Sequence, residues 1–181
     1  MRIPPAGRLD DEQSALLART LSGPDGQPLN LFTTMVRWPQ LMRRVSALGG
    51  YFLTHSELTG TQRELSILRT AALLGSEYEL AQHRGIAAGM GIARDKVRAA
   101  CEPDRPSTTL AGEELALLQL VDDLVELEQV TEPVWEAAVA VLGEDATVEV
   151  VLLVGFYRML AGFISTVGVE VDVATLRSLA D

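Results

Sequence analysis

Apolar positions along this chain recur every three to four residues and rarely alternate over the length of a strand, which predicts helices throughout. Leu9-Asp10-Asp11-Glu12-Gln13 supplies a cap and an acidic first turn, ahead of a helix whose apolar face carries Leu16, Leu17 and Leu21. The Gly- and Pro-rich residues 23–28 then make a loop. Asn30 caps a short helix through Val36, and Pro39 opens the next, to about Phe52. Thr59-Gly60-Thr61 starts a fourth helix that stops at Gly75. Ser76 opens a fifth, ending near Gly89-Met90-Gly91. A short sixth helix covers residues 93–100, and residues 103–109 read as a polar connector. Residues 113–127 form an amphipathic helix with Leu117, Leu120, Leu124 and Leu127 at helical spacing. Thr131 and Pro133 fit the cap and first turn of a helix closed by Gly143, and the last helix runs from about Thr147 to Val167. With no hairpin signal such as Asn-Gly, the expected fold class is all-α. The 181 residues carry no repeat or interdomain linker, so one globular domain is expected. Within it, residues 1–28 form an N-terminal helix and loop, and residues 29–181 the main helical body.

Composition agrees with the pattern. Hydrophobic residues are 48% of the chain and aromatics only 5%, the remainder being mostly the strong helix formers Leu and Ala, with Val. The formal net charge of −10, with no basic run, excludes a nucleic acid partner, because phosphate neutralisation needs a basic face. The N-terminus lacks the apolar core of a signal peptide, and an acidic stretch follows at once. The most apolar stretch, residues 148–169, carries Glu149 and Arg158 and reads as a buried helix rather than a membrane span. A cytoplasmic location with no membrane partner is the expectation. One cysteine, Cys101, and two histidines, His55 and His83, rule out an internal disulfide, a dithiol pair and a cysteine- or histidine-rich metal site. No Gly-rich phosphate loop follows a strand, so neither a metal nor a cofactor is expected.

The candidate chemistry is confined to two helices. Glu64 shares a helical face with Leu68, Ala71 and Gly75, an apolar setting that raises a carboxyl pKa and suits proton transfer. It also fits a first-turn acid favoured by the helix dipole, or one paired with an arginine. Glu79 and His83 stand at i and i+4, where a carboxylate fixes the tautomer of an imidazole and raises its basicity. The same Glu79 has capping-box spacing from Ser76, which would make it a helix-start device and His83 a core histidine. His55, at a helix end, reads as structural. Cys101, with no histidine near it in sequence, reads as a small buried residue. Trp38, Trp135, Phe156 and Phe163 read as core or subunit-interface residues.

Arg63-Glu64-Leu65-Ser66-Ile67-Leu68-Arg69 followed by Gly75-Ser76-Glu77-Tyr78-Glu79-Leu80-Ala81-Gln82-His83 resembles the core of the carboxymuconolactone decarboxylase-like superfamily. Asn30-Leu31-Phe32 and Leu152-Leu153-Val154-Gly155-Phe156-Tyr157-Arg158-Met159-Leu160 resemble its opening and closing helices, so the likeness spans about residues 29–171. It implies an orthogonal helical bundle of the alkyl hydroperoxidase D-like type and a homo-oligomer, with which the long apolar last helix is consistent. The peroxidase branch of that superfamily carries Cys-x-x-Cys-x-x-x-His with a glutamate upstream. Here the histidine and glutamate fall on His83 and Glu64, while the cysteine positions hold Ser76 and Glu79. A hydroxyl and a carboxylate cannot cycle through a disulfide, so dithiol peroxidase chemistry is excluded.

The resemblance therefore implies the decarboxylase branch: a cofactor-free acid/base enzyme acting on a small organic acid or lactone. His83 would move the proton, Glu79 would orient it or share the proton, and Glu64 would complete the relay. Arg63, Arg69 and Arg84 would be candidates to hold a substrate carboxylate, with Tyr78 and Ser76 beside them. Two other readings stand against it. One is a non-catalytic helical scaffold or small-ligand binder that has lost the redox cysteines; the other is peroxide reduction through Cys101.

Overall fold

The computed structural model describes residues 2–102, 110, 112–127 and 129–180; the connector expected at residues 103–109 lies outside them. Among the described residues the regular structure is helical, apart from an isolated bridge between Ser22 and Pro28 that closes the early loop. The helices are α1 (Asp11–Leu17), α2 (Asn30–Met35), α3 (Pro39–Thr54), α4 (Gly60–Leu73), α5 (Glu77–Gly89), α6 (Arg94–Cys101), α7 (Glu113–Asp122), α8 (Glu132–Leu142), α9 (Glu144–Val167) and α10 (Val173–Ala180). Two starts are fixed by reciprocal capping boxes, Asp10 with Gln13 at α1 and Thr59 with Gln62 at α4.

Several boundaries differ from the sequence expectation. The α1 helix ends at Leu17, leaving Leu21 beyond it and half exposed. The cap of α2 is Leu29, without a side-chain bond. Asn30 is already helical, donating its backbone N–H to Asp172 and its side-chain amide to the Glu170 carbonyl. The helix expected over residues 113–127 is α-helical only to Asp122 and continues as a π-helical turn, Asp123–Leu127. The α9 helix starts at Glu144, earlier than expected, and α10 was not anticipated.

The α4 helix lies at the centre, packed against α5, α6, α7 and α9. Its residues Leu65, Ile67, Leu68 and Ala71 are buried, meeting a core that includes Leu117 and Leu120 of α7 and Val150, Leu153 and Phe156 of α9. Each such leucine, fully removed from water, stabilises the fold by about 1.5–3 kcal/mol. By length and hydropathy α9 is apolar enough to cross a bilayer. Here it is a core helix, and its buried Glu149 is satisfied by the Tyr51 hydroxyl (3.0 Å), Ser56 Oγ (2.5 Å) and the Glu57 backbone N–H (2.9 Å). That carboxylate thereby fixes the link between α3 and α4.

The α4–α5 turn aims the site helix. Gly75 adopts φ +63, a left-handed conformation that an L side chain rarely takes, and its N–H donates to Ala72. Reversal within three residues lays α5 back along α4, so residues one helical repeat apart on each can meet.

Candidate active site

Glu64 points from α4 into the interior with 1% of its side chain exposed. Its Oε2 accepts a hydrogen bond from Nδ1 of His83 on α5 at 2.7 Å, and its Oε1 faces Nε of Arg63 at 3.3 Å. A carboxylate on Nδ1 fixes the imidazole tautomer and leaves Nε2 as the atom able to exchange a proton. The imidazole packs edge-on against the Tyr157 ring of α9, centroids 5.1 Å apart at 82°. His83 retains 12% of its side-chain surface.

Glu79 behaves differently from the expectation. It does not bond to His83, and it forms no capping box, since Ser76 occupies the N-cap position of α5 without a side-chain bond. Both Glu79 carboxyl oxygens and Ser76 Oγ are buried without a hydrogen-bond partner. The two capping boxes that do form use a half-buried glutamine at the third helical position, whereas Glu79 is buried. Burial pushes its carboxyl up to about 8, opposed by the neighbouring Ser76 hydroxyl. At neutral pH this group is therefore mostly a neutral acid and a potential donor. Burial, reinforced by the neighbouring negative charge of Glu64, holds the Tyr157 phenol above its ordinary value.

The remaining sequence candidates divide. Arg63 stays with Glu64 and also reaches the Phe52 carbonyl. Arg69 does not belong to the site: its guanidinium grips Asp122 of α7 in a fork, Nε to Oδ1 at 2.5 Å and Nη2 to Oδ2 at 2.6 Å. Tyr78 is likewise engaged elsewhere, accepting from the Leu31 N–H and donating to Asp172. The same Asp172 accepts from Gln82, so the segment before α10 is tied to α5. Arg84 is exposed and faces α6. Cys101 is half-buried at the end of α6. His55 closes α3, stacked on Tyr51 and bonded to Thr54, as its position predicted. Among the described residues no group of three or more His, Cys, Asp or Glu is arranged to hold a metal.

Tyr157 and Asp172 were missed by sequence reasoning. The only signal for Tyr157 was an aromatic hydroxyl in a mostly apolar helix, and its meeting with His83 is a contact between helices far apart in the chain.

The model of the carboxymuconolactone decarboxylase family matches residues 39–123, which include Glu64, Glu79 and His83. No curated protein sequence matches the chain. Among solved structures, the debrominase Bmp8 is similar with a TM-score of 0.81 at 16% identity, covering 98% of this chain and 96% of that one. A cysteine-to-alanine variant of that debrominase, in complex with 2,3,4-tribromopyrrole, gives 0.77 at 15% identity over 99% and 96%. The alkylhydroperoxidase AhpD core of a peroxidase-related protein from Ralstonia eutropha gives 0.76 at 17% identity over 92% and 88%. At these identities the three share a fold with this chain.

Proposed function

This chain belongs to the carboxymuconolactone decarboxylase-like superfamily and has its alkyl hydroperoxidase D-like all-helical fold, and on that premise we propose that it is an acid/base enzyme acting on a small organic acid or lactone. The observation that carries the reading is the 2.7 Å contact between Glu64 Oε2 and His83 Nδ1 in a nearly dry setting. A general base near neutral pH needs an imidazole of fixed tautomer, held where one nitrogen can meet substrate.

The division of labour proposed is as follows. Glu64 is a positioning residue that acts through His83, and Arg63 faces its second oxygen. His83 takes or returns a proton through Nε2. Glu79, neutral at pH 7, supplies a second proton or a hydrogen bond to developing negative charge, and the Tyr157 ring packs against His83. Loss of carbon dioxide leaves a carbanion or enolate that must be stabilised and then protonated, and this constellation offers donors for both steps. Of Arg63, Arg69 and Arg84, Arg63 faces Glu64 while Arg69 grips Asp122, so Arg63 is the arginine proposed for the substrate carboxylate. The assembly proposed is a homo-oligomer and the location cytoplasmic.

The test is turnover of 4-carboxymuconolactone, followed by its absorbance, with wild type and His83→Ala side by side. Turnover that vanishes in the variant supports the reading. Because a similar fold holds a bromopyrrole, 2,3,4-tribromopyrrole belongs in the same assay. Turnover of that compound alone would replace the decarboxylase reading.

A further inference from the structure

Beyond the Glu64–His83 site, α5 and α6 enclose a cleft of about 590 Å³. That is the size of a small-molecule site, which typically spans ~300–1,000 Å³. Three guanidinium groups line it, Arg84 from α5 and Arg94 and Arg98 from α6. Among the described lining residues one carboxylate, Glu102, stands with them. The floor between is apolar, with Ile92 buried and Val97 half-buried.

The chain has a formal net charge of −10, so three guanidinium groups along one cleft are a local positive patch on an acidic molecule. Among the described residues Arg43 pairs with Glu12, Arg69 with Asp122 and Lys96 with Glu114, whereas Arg8 and Arg37 form no ion pair. Among the described residues no ion pair is formed by Arg84, Arg94 or Arg98. Three like charges converging on one cleft repel one another, and an anion placed between them removes that cost. A guanidinium presents a planar fork of donors matched to an oxyanion, while the floor suits a hydrocarbon body.

We propose that the α5–α6 cleft is a binding site for a small organic anion with an apolar body, a carboxylate whose head meets Arg94, Arg98 and Arg84 and whose chain lies on Ile92 and Val97. It is separate from the acid/base site. His83 turns to α4 and α9, where it meets Glu64 and Tyr157, while Arg84, the next residue, faces α6.

The experiment is calorimetric titration of the full chain with octanoate at low salt, with octanol and octylammonium as controls. Octanoate should bind at one site per chain and weaken as salt rises, because the contact is partly exposed. The double variant Arg94→Ala/Arg98→Ala should bind about tenfold or more weakly, the loss expected for charge-assisted bonds. These side chains are exposed, so helicity by circular dichroism should be unchanged. His83→Ala should bind octanoate as wild type does. Equal binding of octylammonium, full retention of octanoate binding by the arginine double variant, or its loss in His83→Ala would each overturn the assignment. The His83→Ala arm also separates this site from the acid/base reading, whose failure in a turnover assay would leave the titration untouched.

Discussion

Oε2 of Glu64 and Nδ1 of His83 stand 2.7 Å apart across two helices, joined by residues nineteen positions apart in the chain. Glu64 is 1% exposed, so the contact is shielded from water and from salt. Replacing His83 with Ala removes the proton carrier, and activity should fall by about 10²–10⁴-fold. Glu64→Gln keeps a polar group of the same shape but withdraws the carboxylate that fixes the tautomer. Its loss should appear in kcat, with a displaced pH profile and little change in KM. Steady-state kinetics from pH 5 to 9 read both; an unchanged profile in Glu64→Gln would mean that Glu64 does not act through His83.

Glu79 provides a test in which the sign can be worked out. Its folded-state pKa is about 8 against an ordinary 4.5, so the native state holds the proton more tightly than the unfolded chain. The stability it contributes is complete below about pH 4.5 and is lost as pH rises to about 8. Wild type should therefore lose Tm across that window. Glu79→Gln, which cannot ionise, should flatten the decline by an amount of order 2–5 kcal/mol. Thermal melts of the two proteins over the same buffers measure it, and parallel curves would contradict a buried, unpartnered acid.

Arg69 and Asp122 join α4 to α7 through a fork of two hydrogen bonds. Removing one member leaves the other partly buried and uncompensated, so Arg69→Ala should cost about 3 kcal/mol in urea unfolding. Activity per folded molecule should hold. A selective rise in KM without loss of stability would return Arg69 to the substrate.

Tyr157→Phe removes a hydroxyl while keeping the ring that packs against His83. With the fold intact, kcat should fall by about 10–100-fold, the scale for one lost donor to developing charge. A wild-type kcat would leave Tyr157 as a packing residue.

The outward side of α9 carries Val148, Leu152 and Met159, each more than two-fifths exposed, along one face of the longest helix. A second copy of the chain is the proposed cover, since a straight apolar stripe on a helix can pack against itself about a twofold axis. Light scattering should find an oligomer at micromolar concentration, and Leu152→Glu should shift it towards smaller species. A monomeric wild type would contradict this.

The pattern of apolar residues was enough for the fold class, because helical spacing and caps are local properties. Asp10, Thr59, Pro39 and Gly75 act within a turn of themselves, and the helix boundaries they set fall where the pattern placed them. It was not enough for α10, whose position rests on Asp172 bonding Tyr78 and Gln82 some ninety residues earlier. The π-helical turn at Asp123–Leu127 likewise leaves no mark in apolar spacing.

Sequence and resemblance together singled out Glu64, Glu79 and His83, and the chemistry of two absent cysteines. They paired the wrong acid with the imidazole. Spacing of i and i+4 makes Glu79 the natural neighbour of His83, yet a contact along one helix is only one of those a side chain can make. The reversal at Gly75 brings α4 alongside, and Glu64 reaches Nδ1 instead, leaving Glu79 buried and unpartnered. Which arginine faces solvent, which grips Asp122 and which stands beside Glu64 depends on how helices pack, and packing is a relation between distant residues. Residue types and their local geometry came from the chain; partners, burial and hence protonation came from the tertiary fold.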